Sequence, residues 1–186
     1  MTPPSPSTAP LAGLDAPQHA PRTAAVVLGS GGARGYAHIG ALDAIAARGL
    51  EVVAVSGTSM GALIGGLFAS GGLEDYREWV LGLGWADVMR LVDLSPLSSM
   101  GAIRGDKLFA TVGDMIGDVL IESLPIPFTA VATDLLSQRE VWFQDGSLAD
   151  AVRASIAIPS LFSPVVTDNQ LLVDGALLNP IPILPT

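Results

Sequence analysis

The sequence of 186 residues is 49% hydrophobic and 15% charged, which is long and apolar enough for one well-packed domain and argues against general disorder. Its net charge of −9, with only 9 lysine and arginine residues, argues against nucleic acid as a partner and against electrostatic attraction to anionic membranes. The chain contains no cysteine, which excludes disulfides and thiolate chemistry and limits metal ligands to two histidines and the carboxylates.

Residues 1–22 carry six prolines and no apolar periodicity, so they predict a disordered tail before a single domain over residues 23–186. The tail has neither the basic start nor the continuous apolar stretch of a signal peptide, and we expect a cytoplasmic protein. Residues 52–73 are 22 consecutive positions without a charge, a length that could cross a bilayer. Their six glycines and β-branched start favour a buried strand, a turn and a buried helix over a transmembrane helix.

The first half of the domain alternates between strand and helix patterns. Residues 23–28 are an apolar run that predicts a buried strand, and the Gly-rich loop 29–35 follows it. Residues 36–48 then predict a helix, residues 51–55 a second buried strand, and residues 60–70 a second helix. This strand–helix–strand–helix order is typical of a parallel sheet in an α/β fold.

The second half is less regular. Residues 88–105 are rich in loop-forming residues, and their apolar part, residues 91–103, is a candidate lid or membrane-contacting surface, with ordinary core packing as the alternative. The other predicted elements are helices over residues 73–83, 106–117 and 147–155, and strands over residues 127–134, 139–143 and 171–173.

Ser59 lies in the pentapeptide Gly57-Thr58-Ser59-Met60-Gly61, which fits the nucleophile-elbow pattern G-x-S-x-G. The elbow requires a strand that ends just before the serine and a helix that begins just after it, and the predicted elements provide both. At the start of a helix, free N–H groups and the helix dipole favour developing negative charge. The alternative is a buried serine that only caps the helix.

The Gly-rich loop has the sequence Gly29-Ser30-Gly31-Gly32-Ala33-Arg34-Gly35. A dinucleotide-binding loop would need a glycine at position 34 and an acidic residue at the end of the next strand, and a phosphate-binding Walker loop would need Gly-Lys-Ser/Thr. Both patterns are absent. Because consecutive parallel strands place their C-terminal loops side by side, the loop predicts a set of backbone donors next to Ser59, which is the requirement for an oxyanion hole.

A serine nucleophile needs a base, and no histidine follows Ser59 in the sequence. His38 lies on the predicted helix after the Gly-rich loop and is interpreted as a packing residue, and Lys107, the only lysine, starts a solvated helix. Asp174 lies in the apolar stretch L-L-V-D-G-A-L-L, and apolar surroundings raise the pKa of a carboxyl group towards useful basicity. The alternative is an aspartate that only stabilises the turn with Gly175.

The motifs G-S-G-G-A-R-G, G-T-S-M-G and D-G-A, in this order, resemble the patatin-like phospholipase family, and the bacterial members related to neuropathy target esterase look most similar. Residues 151–165 also resemble the segment that precedes the family's dyad aspartate, and the resemblance covers about residues 24–182. It implies a three-layer α/β/α fold with a mostly parallel sheet and a Ser–Asp dyad. The residues it implies are Ser59 as nucleophile, Asp174 as base, and an oxyanion loop of Gly31, Gly32, Ala33, Arg34 and Gly35.

The implied function is hydrolysis of acyl esters in phospholipids, lysophospholipids or neutral lipids, without a metal or a cofactor. The alternative is a non-catalytic module that binds anions or lipids. Two departures from the family pattern stand out: Ser30 replaces a glycine, and the sequence stops at I-P-I-L-P-T shortly after Asp174. We therefore expect a domain that is truncated at its C-terminus.

Overall fold

Three parallel strands form the centre of the sheet. The computed structural model describes residues 22–84 and 106–186, so residues 1–21 of the predicted tail and the candidate lid over residues 91–103 lie outside the described residues. Arg22, predicted as the last residue of the tail, instead begins the first strand. Strand β1 (Arg22–Leu28) pairs with β2 (Leu50–Thr58), and β2 pairs with β3 (Phe128–Asp134), both in parallel. Every residue of β3 is buried, as expected for the central strand of an α/β sheet. The predicted α/β fold class is confirmed.

The remaining strands are antiparallel to their neighbours. Strand β4 (Arg139–Phe143) pairs with β3, the short β5 (Val165–Val166) pairs with β6, and β6 (Leu171–Asp174) pairs with β3. A strand has two edges, and β4 pairs with residues 130–134 along one edge of β3. Strands β2 and β6 therefore share the other edge, where they lie end to end.

Five helices complete the described part of the chain. They are α1 (Ala37–Ala46), α2 (Met60–Ser70), α3 (Leu73–Gly82), α4 (Asp106–Ile116) and α5 (Leu148–Ser155), with 3₁₀ turns at Gly32–Tyr36, Ile121–Ser123 and Gly175–Leu177. None of the described helices is both long enough and apolar enough to cross a membrane. All the predicted helices in the described ranges are confirmed to within a few residues.

Helix α2 is buried along most of its length because its small residues let it approach the sheet closely. A Cβ atom at Gly65 would lie 2.9 Å from Val55 Cγ1 and 3.2 Å from Phe128 Cε2, so a larger residue would push the helix away from β2 and β3. The core that results includes Leu28, Val55, Ile64 and Phe128. The uncharged run of residues 52–73 is thus a strand and a helix that are buried against each other.

The predicted end of β2 at residue 55 is wrong, since the strand continues to Thr58. The prediction stopped where the apolar run stopped, but the polar residues that follow have buried partners on the face opposite α2. Ser56 Oγ donates to the Pro182 carbonyl at 2.6 Å, and Thr58 Oγ1 donates to the Asn179 carbonyl at 2.9 Å. The C-terminal segment, residues 179–186, therefore satisfies the hydroxyl groups of this face.

Candidate active site

Ser59 occupies a sharp turn between β2 and α2. Its backbone has φ 58° and ψ −123°, a conformation that non-glycine residues rarely adopt. The two motif glycines allow the turn: a Cβ at Gly57 would lie 2.3 Å from the Gly61 carbonyl oxygen, and a Cβ at Gly61 would lie 1.9 Å from the Leu28 carbonyl oxygen. Although Ser59 stands at the N-terminus of α2, its side chain makes no capping hydrogen bond.

The Ser59 hydroxyl instead donates to Asp174. The distance from Ser59 Oγ to Asp174 Oδ2 is 2.5 Å, and the side chains come from positions 115 residues apart in the sequence. The sheet explains how they meet. Thr58, the last residue of β2, lies opposite Val131 of β3, and Asp174, the last residue of β6, lies opposite the next β3 residue, Ala132. The ends of β2 and β6 thus bring the two residues together from opposite directions.

Asp174 is a buried carboxylate that has two hydrogen-bond donors among residues 22–84 and 106–186. Its Oδ1 atom accepts the Ala176 N–H at 2.8 Å, which leaves Oδ2 for Ser59. Burial raises the pKa of Asp174 above its ordinary value, and the hydrogen bonds from Ser59 and Ala176 offset only part of that rise. The turn contact that sequence analysis offered as an alternative role is therefore present together with the contact to Ser59.

Gly175 keeps this turn close to β3. A Cβ atom at this position would lie 2.2 Å from the Val131 carbonyl oxygen and 3.1 Å from Thr58 Cγ2. Because the nearest obstacle is backbone, it cannot be relieved by rotating a side chain. Glycine is therefore needed here for space, and its absence would move the neighbouring carboxylate.

The Gly-rich loop is packed directly against the elbow. A Cβ at Gly35 would lie 2.3 Å from Met60 Cγ, so glycine is required for this contact. The loop turns through Gly32, which has φ +50°, and enters the 3₁₀ turn, where the Arg34 N–H donates to the Gly31 carbonyl at 3.0 Å. The first N–H groups of such a turn, those of Gly32 and Ala33, have no partner within it.

Two contacts hold the start of the loop. His38 Nε2 lies 2.8 Å from the Gly29 carbonyl oxygen, and the Ser30 N–H donates to the Pro180 carbonyl at 2.9 Å. His38 thus contacts the loop and not the Ser59–Asp174 pair. The Arg34 side chain, which could brace the loop or pair with a phosphate, is exposed to solvent.

An apolar cavity of about 250 Å³ opens beside Ser59. Gly32 and Ala33 of the loop line it together with Ser59. Its remaining lining residues are Tyr36, Met60, Leu63, Tyr76, Leu108, Val112, Ile156, Ile158, Leu161 and Phe162. Such a lining fits an apolar chain and offers little to a charged ligand.

Sequence analysis missed most of this cavity and one polar residue beside the elbow. The cavity residues come from separate segments whose apolar positions resemble ordinary core, so no local signal identified them. Ser155 lies in a segment that the family resemblance included, but neither its type nor its spacing indicated a contact with Ser59. In residues 22–84 and 106–186, no group of three or more metal-ligating side chains comes together.

Comparisons with known proteins agree with this geometry. The sequence profile described as patatin-like phospholipase matches residues 26–186. An uncharacterised NTE family protein of Mycobacterium tuberculosis is 50% identical over 161 residues, which cover 87% of this chain and 44% of that protein. Neuropathy target esterase sws of Drosophila melanogaster is 38% identical over 166 residues, which cover 84% of this chain and 11% of the esterase.

The fold has a solved counterpart. The crystal structure of VipD from Legionella pneumophila matches with a TM-score of 0.62 and 17% identity, over 85% of this chain and 46% of that chain. At this identity the match shows the α/β fold alone. The chain belongs to the patatin-like phospholipase family. It spans less than half the length of its mycobacterial relative.

Proposed function

We propose that this chain hydrolyses acyl esters of lipids, with Ser59 as the nucleophile and Asp174 as the general base. The observation that carries the proposal is the 2.5 Å hydrogen bond from Ser59 Oγ to Asp174 Oδ2 in a buried setting. A serine hydroxyl is a weak nucleophile until a neighbouring base accepts its proton. The short, direct contact provides such a base without a histidine.

The reaction begins with transfer of the Ser59 hydroxyl proton to Asp174 as Oγ attacks the ester carbonyl carbon. The carbonyl π electrons move to oxygen and give a tetrahedral oxyanion. When this collapses, the bond to the alcohol breaks, the alcohol takes the proton from Asp174, and the acyl group remains on Ser59. Water then loses a proton to Asp174 and attacks the acyl carbon, and Ser59 recovers that proton as the fatty acid leaves.

The Gly-rich loop supplies the groups that stabilise the oxyanion. The family resemblance implies the N–H groups of Gly31 and Gly32 as the donors, whereas the cavity lining includes Gly32 and Ala33 and supports the N–H groups of these two residues. Gly31, Arg34 and Gly35 shape the loop around them. Fixed donors in a partly dry site stabilise developing charge more than water does, and loss of one typically slows a reaction by about 100- to 1000-fold.

The apolar cavity indicates where the acyl chain binds. Its walls offer mainly hydrocarbon and aromatic surface, and its lining includes Ser59. We expect phospholipids, lysophospholipids or other acyl esters as substrates, which the phospholipase and esterase names of the family and the Drosophila relative support. Because the protein is acidic, contact with a lipid surface would depend on apolar residues and not on charge attraction.

Replacement of the nucleophile tests the proposal. Ser59→Ala should abolish hydrolysis of p-nitrophenyl esters, since the other hydroxyl of the elbow, that of Thr58, donates to the Asn179 carbonyl and not to Asp174. The matched control is Ser70→Ala at the other end of α2, where the hydroxyl donates only to the Leu67 carbonyl. Wild-type turnover in the Ser59 variant would remove Ser59 from the mechanism. Lipid binding by a wild-type protein that hydrolyses no ester would favour the non-catalytic module.

A further inference from the structure

Ser155 is a buried polar residue that the proposed reaction does not use. It is the last residue of α5 and is fully buried. Its Oγ accepts the Ser59 N–H at 2.9 Å and donates to the Val131 carbonyl at 2.6 Å. The hydroxyl group therefore makes one contact with the backbone of the nucleophile and one with the central strand.

Ser155 lies where β2 and β6, which pair with successive parts of the same edge of β3, meet end to end. Thr58 ends its ladder opposite Val131, and Asp174 ends its ladder opposite Ala132. Buried backbone groups at such an interruption need partners from outside the ladder. Ser155 provides a partner for the N–H that follows β2 and for the β3 carbonyl at the same place.

The base is held by the same short stretch of chain. The Asp174 N–H donates to the Ala157 carbonyl at 3.0 Å, only two positions beyond Ser155. We call Ser155, Ile156 and Ala157 the junction segment. One of its residues holds the backbone of the nucleophile and another holds the backbone of the base, so the segment sets the distance between two residues that are remote in the sequence.

We propose that Ser155 is a positioning residue, which fixes the Ser59 backbone so that its hydroxyl stays within hydrogen-bond distance of Asp174. This inference rests on the proposed function. A backbone conformation as rare as that of Ser59 persists only where the surroundings fix it, and the hydrogen bond to Ser155 acts on the residue itself. Small displacements of reacting groups are costly, because a shift of about 1 Å can slow a reaction about 100-fold.

The test compares two serines of the same helix. Ser155→Ala removes both buried hydrogen bonds, and we expect kcat for a p-nitrophenyl ester to fall about 10- to 100-fold while KM stays within about twofold. Ser147→Ala is the matched control, since Ser147 caps the start of α5 by accepting the Asp150 N–H and does not contact Ser59. A helix-capping loss should lower the melting temperature and leave kcat unchanged.

Restoring the hydroxyl separates positioning from general packing. Ser155→Thr keeps an oxygen at the same place, and we expect it to regain most of the kcat that Ser155→Ala loses, together with the rate at which a fluorophosphonate labels Ser59. Wild-type kcat in Ser155→Ala, or an equal loss of kcat in Ser155→Ala and Ser147→Ala, would overturn the proposal.

A measurement on the unaltered protein covers the case in which the Ser155 variants do not fold. Hydrogen exchange followed by NMR should show the Ser59 amide as strongly protected as the amides inside β2. Rapid exchange at Ser59 within a protected β2 would show that the contact with Ser155 does not hold in solution, and the inference would fail. Failure of the proposed function is a different result, namely wild-type protein that neither hydrolyses esters nor reacts with the fluorophosphonate.

Discussion

Asp134 and Asp174 end neighbouring antiparallel strands and are equally buried, each with 3% of its surface exposed, yet the structure shifts their pKa values in opposite directions. Asp134 accepts four hydrogen bonds, from the N–H groups of Leu136, Ser137 and Leu171 and from the Ser137 hydroxyl. These hydrogen bonds lower its pKa although burial acts in the opposite direction, and the bond from the Ser137 hydroxyl has the largest effect. Asp174 accepts only two, and burial raises its pKa.

In this pair, the carboxylate with four donors has the lowered pKa, and the carboxylate with two donors has the raised pKa, for which burial is the main cause. The lone pairs of Asp134 are occupied by the β3–β4 turn and by β6, so this residue has no capacity left for a substrate or nucleophile. Asp174 satisfies its turn with Oδ1 and keeps Oδ2 for the Ser59 proton. A buried carboxylate with few donors is both a stronger base and a cost to stability.

The largest expected effect is on catalysis. Asp174→Asn should lower kcat/KM by about 10³- to 10⁴-fold, because the amide cannot accept the Ser59 proton. Asp134→Asn should leave kcat/KM nearly unchanged and lower the melting temperature, because it weakens a turn remote from the nucleophile. Steady-state kinetics and thermal unfolding of both variants check the contrast. Equal losses of kcat/KM in the two variants would contradict the proposed difference between the two aspartates.

A smaller effect is expected from Gly175→Ala, which keeps the Asp174 carboxylate in the sequence and alters the turn that positions it. The added Cβ would meet the Val131 carbonyl oxygen, and we expect the free energy of unfolding to fall by about 1–3 kcal/mol. We also expect at least about a 10-fold loss of kcat/KM as Asp174 shifts. Gly113→Ala is the control, since nothing lies within 4 Å of that position in α4. Denaturant unfolding that finds the two variants equally stable would contradict the packing argument.

The smallest effect is a difference in how stability depends on pH. A carboxylate with a raised folded-state pKa contributes stability at low pH that is lost as pH rises through that pKa, so Asp174→Asn should become more stable relative to wild type as pH rises above the ordinary carboxyl pKa. A carboxylate with a lowered pKa contributes stability above its unfolded pKa, which is lost as pH falls. Asp134→Asn should therefore be relatively less stable at the higher pH.

Melting temperatures of the wild type and both variants, measured from below the ordinary carboxyl pKa, where Asp134 titrates, to well above it, where Asp174 titrates, give the two slopes. Opposite signs would support the assignment of one aspartate to the turn and the other to the base. Slopes of the same sign for Asp134→Asn and Asp174→Asn would mean that the two carboxylates have similar environments in solution.

Local sequence was enough to predict the elements and the elbow. The pattern around Ser59 combines a strand, a small-residue turn and a helix within a few positions, and each part has a local signature. A Cβ atom at Gly57 would clash with Gly61, which is in the same motif, and a Cβ atom at Gly61 would clash with Leu28 in the adjacent strand. The motif therefore requires both glycines. The position of the Gly-rich loop, after a strand and before a helix, could also be predicted from the local sequence.

The end-to-end arrangement of β2 and β6 along β3 could not be predicted from the sequence, because it depends on pairings between strands far apart in the chain. Strand β5 pairs with the nearby β6, but its two residues are too few to show a periodic pattern. The extension of β2 through Ser56 and Thr58 has no local apolar signal, since hydrogen bonds to the distant C-terminal segment satisfy its hydroxyl groups. Ser155 was missed for the same reason: a single serine at a helix end acquires its role only when a distant elbow lies against it. Family resemblance indicated Asp174, whereas its donor count became visible only in the structure.

Covalent labelling of Ser59 tests the central claim, activation of this hydroxyl by Asp174, most directly. A fluorophosphonate should add once to the wild-type protein and to Asp134→Asn, with peptide mass spectrometry placing the adduct on Ser59. Asp174→Asn should react at least about 100-fold more slowly, and Ser59→Ala should not react. Labelling of Asp174→Asn at the wild-type rate, or an adduct on another residue, would contradict the account.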